Sequence, residues 1–416
     1  MSHHADTSAL MSRDNVTQAP GAGKMLSVAL IAVGVVALAL TLIGGMTGDS
    51  YAARAAMLNY HIGFIAVLAV TLGGMAFVMI SHQTGAGWSA GLRRQFENLM
   101  SMVPICAVLF LPIFALCFLS PGLLFKWMDA AYVAGDPIYD HKRAYLNMPF
   151  FAVRAILFFA VWAGLAFVLM RLSLKQDETG DKWLTRSMRR FSAPGILLFA
   201  LATAFASFDW IMGLDFHWFS TMFPIYYFAQ GILAAFAAVT LILLVNRRAG
   251  RLQGVVTEEH FHDLGKLIFG FIVFWAYISF SQYFLIWYAN IPEETAFMSR
   301  RRTGEWMSVS VVLVALKFIV PFLVMLPRPN RRNPVILAAV CAWLLVMHLV
   351  DFFWVIRPEL FSSVARGMGF SWLDIVGPIG PVAIYAGVLI RTIASRPLVC
   401  LKDPRLPQAL HHKNYI

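Results

Sequence analysis

Five ionisable residues fall inside stretches apolar enough to span hydrocarbon: Arg154, Asp209, Lys317, His348 and Asp351. A charge at that depth is costly unless it is paired or hydrated, so each is read first as functional. The chemistry these types offer is proton movement. Carboxylates and imidazoles take up and release protons, and nearby Lys and Arg tune how tightly they hold them. His348 and Asp351 stand three residues apart, on neighbouring positions of one helix face. A carboxylate beside an imidazole favours the imidazolium, so the two are expected to pass protons as a unit. Their rival role is to tie one helix to a neighbour, such as the one carrying Arg154. On the first reading, Asp351→Asn spares assembly and lowers turnover.

Other polar residues extend the pattern. Between Phe274 and Asn290, Tyr277, Ser281 and Tyr288 fall near one helical face, with Ser279 and Gln282 on another. Tyr277 and Ser281 fit a hydroxyl path for protons. Ser and Gln in such positions serve equally well as hydrogen-bonding glue between helices. Glu258, Glu259, His260, His262 and Asp263 precede Lys266. That cluster reads either as the inner mouth of a proton path or as a solvated loop. The short connection from Phe208 to Ser220 carries Asp209, Asp215 and His217 between Trp210 and Trp218, and has no Lys or Arg. His61 and His348 are the one pair of intramembrane histidines that could ligate haem, and a lone pair makes a haem-b bundle the lesser reading. Cys106, Cys117, Cys341 and Cys400 are scattered with no Cys-x-x-Cys, so no covalent haem, iron–sulfur or zinc site is expected in this chain.

These residues need membrane helices to position them. The chain is 59% hydrophobic and 13% charged, where soluble domains carry about 25% charged residues. Ten apolar runs have spanning length: 25–46, 57–80, 99–119, 146–170, 192–213, 222–245, 265–289, 306–327, 334–356 and 373–395. The expected fold is therefore an all-α integral membrane protein of about ten transmembrane helices. It divides into an N-terminal segment (1–24, with His3, His4 and Asp6), a transmembrane domain (25–396) and a C-terminal tail (397–416). The loops on the side of the two termini hold more than twice as many Lys and Arg as those opposite. The positive-inside rule then places both termini in the cytoplasm, and Cys400 should be labelled only from inside. It also accounts for the net charge of +11 without nucleic acid as a partner. With that orientation most intramembrane polarity gathers in the outer half. Lys317 stands near the centre of its run.

Two stretches carry a family resemblance. The first runs Phe208-Asp209-Trp210-Ile211-Met212, Leu214-Asp215 and His217-Trp218-Phe219-Ser220-Thr221 into Tyr226-Tyr227-Phe228. The second joins Gly265-Lys266-Leu267, Phe274-Trp275-Ala276-Tyr277, Phe280-Ser281-Gln282-Tyr283 and Trp287-Tyr288-Ala289-Asn290-Ile291-Pro292. Together, with Cys400-Leu401-Lys402-Asp403-Pro404 in the tail, they resemble the F subunit of bacterial alternative complex III, a quinol:cytochrome c oxidoreductase. The resemblance implies an NrfD-like or polysulfide-reductase-like fold of two four-helix bundles plus two extra helices, in the bacterial inner membrane. It implies a homologous NrfD-like membrane subunit, lipids, subunits bearing haem c and iron–sulfur clusters, and an associated terminal oxidase as partners. It further implies a role in a quinone or quinol environment, in proton conduction, or as a scaffold. A secondary transporter is the remaining rival, but no pair of broken helices recurs in corresponding places. The chain purified alone is expected to show no Soret band and to retain no stoichiometric iron; either signal would contradict the cysteine and histidine reading.

Overall fold

The computed structural model describes residues 10–360 and 368–414, so His3, His4 and Asp6 lie outside the described residues. Among the described residues ten helices are long and apolar enough to cross a membrane: α1 Lys24–Met46, α2 Ser50–Thr84, α3 Arg93–Leu119, α4 Met148–Thr179, α5 Lys182–Leu214, α6 Phe223–Arg248, α7 Glu258–Ala289, α8 Glu305–Met325, α9 Pro334–Leu360 and α10 Leu373–Ala394. Each corresponds to one expected run, but several reach well past it. Hydropathy marks only the stretch matched to hydrocarbon, whereas backbone hydrogen bonding continues through polar ends. The 35 residues of α2 are about 52 Å of helix, against an apolar core of about 30 Å.

The ends are set by local chemistry. Asp49 caps α2 by accepting from the Ala52 amide at 2.9 Å, and Gly85 ends it at a φ of +63°. Gly180, at a φ of +70°, closes α4, and Asp181 then caps α5 by accepting from the Trp183 amide at 2.8 Å. One glycine and one aspartate thus reverse the chain between two long helices.

Within the membrane, apolar burial does not separate protein from lipid, and close backbone approach through small residues does. α2 shows this best, since nearly every side chain from Ala55 to Met79 is buried. A Cβ on Gly73 would stand 2.2 Å from the Gly231 carbonyl oxygen of α6, and one on Gly231 would stand 2.5 Å from that of Ala69. Gly63 meets Pro378 of α10 and Gly377 meets Asn59 in the same way. Around α2, α3 packs on α4, α4 on α5, and α5 returns to α2. α7 packs on α6 and α8, and α9 on α6 and α8, while α1 and α10 pair beside α2. The outer surfaces of α1, α4, α5 and α8 expose residues such as Val36, Leu157, Leu197 and Val314.

The face that holds the termini is itself folded. Val16 accepts from the Leu398 amide at 2.8 Å, and Asn15 accepts from the Leu252 amide at 2.9 Å. The first turns of α3 hold a buried ion cluster. Arg93 contacts Glu97 at 3.0 Å and Asp403 at 2.6 Å, while Arg94 contacts Glu97 at 2.8 Å and Asp177 at 2.5 Å. Burial alone would raise the Asp403 carboxyl, but Arg93 and Arg405 outweigh it and hold it at about 2. The stability this contact adds is present above the unfolded carboxyl value, about 3.9, and is lost as pH falls through about 2.

Cys400 corrects an expectation. It is 1% exposed beneath Glu97 and Ser173, and burial pushes its thiol up to about 12, so it is shielded from labelling on either side. A topology test therefore needs a cysteine on an exposed position. Lys413→Cys is expected to react with an impermeant maleimide only after the inner face is opened, with native Cys400 silent; labelling in intact cells would reverse the assigned orientation.

Candidate functional site

Four helices, α6 to α9, each bring a side chain to one buried point. Lys317 of α8 places its Nζ 2.5 Å from Oδ2 of Asp351 on α9, and Tyr226 of α6 donates its hydroxyl to Oδ1 of the same carboxylate. The ammonium also reaches Gln230 Oε1 at 3.5 Å and lies 4.4 Å from the Trp275 ring centroid on α7. Lys317 and Asp351 are 1% and 0% exposed. Cation, carboxylate, phenol and aromatic face thus form one cluster, with each charge compensated inside the chain.

Its position has a local cause. Pro321 lacks the N–H that would bond the Lys317 carbonyl, and the helix loosens from Leu313 to Ile319 into a π-helical stretch between two α segments. Trp343 of α9 donates its indole N–H to the Leu316 carbonyl at 2.7 Å, satisfying one group in that stretch. The widened turn carries Lys317 towards α9.

This arrangement overturns the His348–Asp351 unit. Three-residue spacing places the two on one face, yet their side chains diverge. His348 donates from Nε2 to the Ala66 carbonyl of α2 at 3.1 Å and stands edge-on to Phe352. Asp351 turns to α6 and α8 instead. His61 is tied in a similar way, with Nε2 donating to the Trp210 carbonyl at 2.6 Å.

Beside the triad lies a cavity of about 600 Å3 between α7 and α8, with Tyr226 and Asp351 among its lining and Ser279, Ser310 and Arg301 at its polar points. Most of its wall is hydrocarbon. Phe280, Val311 and Val314, which also line it, are 63%, 53% and 56% exposed, so the cavity opens sideways towards the bilayer. Its size falls in the range that takes a drug-sized organic molecule.

The other expected site residues distribute differently. Arg154 and Asp209 do meet, through Nε–Oδ2 at 2.7 Å and Nη2–Oδ1 at 3.1 Å, with the guanidinium stacked 3.8 Å over Tyr145. They clamp α4 to α5, away from the triad. Tyr277 is 64% exposed on the outer surface of α7, and Ser281, four residues on and half-buried, shares its side of the helix, so the two do not line an interior path. The inward face of α7 carries Trp275, Ser279 and Gln282, at the helical spacing of the next positions round.

The Glu258–Asp263 cluster is not a loop but the first turns of α7. His260 bonds Thr257 in a capping box, Glu259 pairs with Arg332 and Asn414, and Asp263 meets Lys266 at 2.6 Å and also His412. His262 is buried, and Glu258 remains exposed. These groups lock the tail and the α8–α9 connection onto α7.

Several bonded polar groups, or their partners, escape a reading by hydropathy. Tyr226 and Gln230 stand four apart on α6, a spacing that marks a polar stripe. On the face opposite the termini, Arg300 pairs with Asp215 and, at 3.2 Å, with Glu359, which Arg301 also meets at 3.0 Å. Burial would raise the Asp215 carboxyl, but Arg300 outweighs it and holds it below the usual range. Arg357 and Asp374 pair at 2.5 Å, and Asn59 joins them at 2.7 Å.

No protein-family model matches the chain, and no curated protein sequence matches it.

The pairing changes what Asp351→Asn should do. It leaves the Lys317 ammonium buried without a counter-charge, a loss of about 3–5 kcal/mol. Lys317→Met combined with Asp351→Asn removes both charges and should recover most of that loss. Thermal unfolding in detergent measures both. A single variant as stable as the unsubstituted chain would refute the ion pair.

Proposed function

We propose that this chain is an integral membrane subunit of a quinol-oxidising respiratory complex similar to alternative complex III, seated in the bacterial inner membrane with both termini in the cytoplasm. We assign Asp351, held between Lys317 and Tyr226, as a proton acceptor beside a quinone-sized cavity. The observation that carries this reading is the buried triad at the wall of an apolar chamber open to the bilayer. A lipid-soluble diol can reach such a chamber from the membrane, and a carboxylate backed by a fixed cation can accept its proton. Oxidising a quinol releases two electrons and two protons. The electrons would pass to haem c and iron–sulfur groups in partner subunits, and this chain would handle protons. The grouping of α2–α5 and α6–α9, with α1 and α10 beside α2, supports an NrfD-like arrangement of two four-helix bundles.

A second reading has its own support. Arg154–Asp209, Arg357–Asp374 and Lys317–Asp351 all join different helices, as a scaffold subunit requires.

Two substitutions separate the readings. Tyr226→Phe keeps the ring and removes the hydroxyl, so the assembled complex should persist while quinol turnover falls at least about tenfold. Ala315→Trp, in the cavity wall, should raise the KM for quinol. Unchanged turnover and KM in fully assembled complexes would leave the scaffold role in possession.

A further inference from the structure

A second cavity of about 600 Å3 opens at the end of the molecule that holds the termini, apart from the Asp351 site. It is a groove between α3 and α4. Pro104, Ala163, Ala166 and Phe167 make its apolar part, and Arg171, Lys175 and Arg396 stand at its mouth with one acid, Glu178. The groove exists because α3 is broken. Its first segment ends at Met100 and its second begins at Val103, and α4 offers alanines opposite the break.

Arg396 is fixed across the mouth. Its Nη1 donates to Ser101 Oγ at 2.8 Å and to Asn98 Oδ1 at 3.2 Å, both neutral acceptors. Arg171 and Lys175 lie one turn apart on α4, on the same face. Among the described residues none of these three cations forms a salt bridge. Arg93 and Arg94, on α3 close by, each engage two carboxylates. Neutralisation has therefore been completed in the core and left open at the groove, where three cations face a single acid.

Position selects the chemistry of the missing anion. Phe167 is 64% exposed and Pro104 is exposed, so the groove is a furrow in the lipid-facing surface that ends in positive charge where the apolar run gives way to polar residues. Basic pockets between membrane helices at that level suit phospholipid head groups, and guanidinium recognises phosphate oxygens with more than one N–H. A soluble anion would leave the apolar length of the groove uncovered. We propose that this groove holds one anionic phospholipid, with its phosphate at Arg396, Arg171 and Lys175 flanking the head group, and an acyl chain along Ala163, Ala166 and Phe167.

The test is native mass spectrometry of the purified full chain in detergent, titrated with phosphatidylglycerol or phosphatidylcholine. The tightest phosphatidylglycerol site should be preferred over phosphatidylcholine by about tenfold. Arg171→Gln with Lys175→Gln should weaken it by about thirty-fold, and Arg396→Gln by at least about fivefold. Because Arg396 also braces Ser101 and Asn98, the α4 double variant is the decisive one. Among the described residues the Arg171 head group lies over Phe167, at 5.9 Å, and makes no hydrogen bond that the substitution would break. Equal retention of the two lipids would overturn the proposal. So would unchanged phosphatidylglycerol affinity in the double variant, or full displacement of the lipid by inorganic phosphate.

Discussion

Hydrocarbon offers no hydrogen bonds, so a polar group placed in it must be satisfied by the chain itself or by what the chain binds. The Lys317–Asp351 contact is the sharpest case. Both groups are fully buried, and neither can be removed alone without stranding the other. The pair therefore fixes α8 against α9, and Tyr226 and Trp275 draw α6 and α7 to the same point. The same rule shapes the ends. Buried Arg301 donates to the carbonyls of Phe297, Trp354 and Val355 and pairs with Glu359.

Where such a pair sits within the packing decides what it can do. α2 is the most buried of the ten described spans and α8 the least. Glycine contacts hold α2 to α6 and α10 at backbone distance. α8 instead carries a π-helical stretch and leaves a chamber against α7. π-Bulges recur at functional sites because they break the regular ladder and aim a side chain out of register. A buried carboxylate beside a rigid core would only brace helices. Beside a chamber open to lipid it can meet a substrate.

How much of this was legible in the sequence follows from what hydropathy measures. It registers apolar length, and every described span answers to an expected run. It also flags charges inside those runs, which is how Arg154, Asp209, Lys317 and Asp351 were found. It does not say which helices adjoin, so it joins Asp351 to His348 on one helix and leaves Lys317 alone near the centre of its run, when Lys317 and Asp351 belong together. Periodicity on α7 separated Tyr277 from Ser279 correctly. Choosing the inward face needs a polarity contrast, and in a bilayer lipid and protein interior are equally apolar. Arg93 and Arg94 fall between the apolar runs 57–80 and 99–119, and a stretch such as Arg-Arg-Gln-Phe-Glu-Asn gives no sign of burial. Their burial depends on Asp177 and Asp403, distant in the chain.

The two ends of the molecule now differ in a way that charge counting alone could not show. At the end opposite the termini, Arg300, Arg301 and Arg357 are each taken up by carboxylates, and these three close the structure. At the end holding the termini, the arginines in the first turn of α3 are neutralised, while Arg171, Lys175 and Arg396 form no salt bridge among the described residues and share one nearby acid, Glu178. The excess of basic residues at the end holding the termini is thus two different things in one chain. Part of it is internal cement, insensitive to the surrounding lipid, and part is open charge whose complement lies outside the protein. Only the second part can answer to the composition of the bilayer, because an arginine already bonded to aspartate in a buried site gains nothing from an anionic head group.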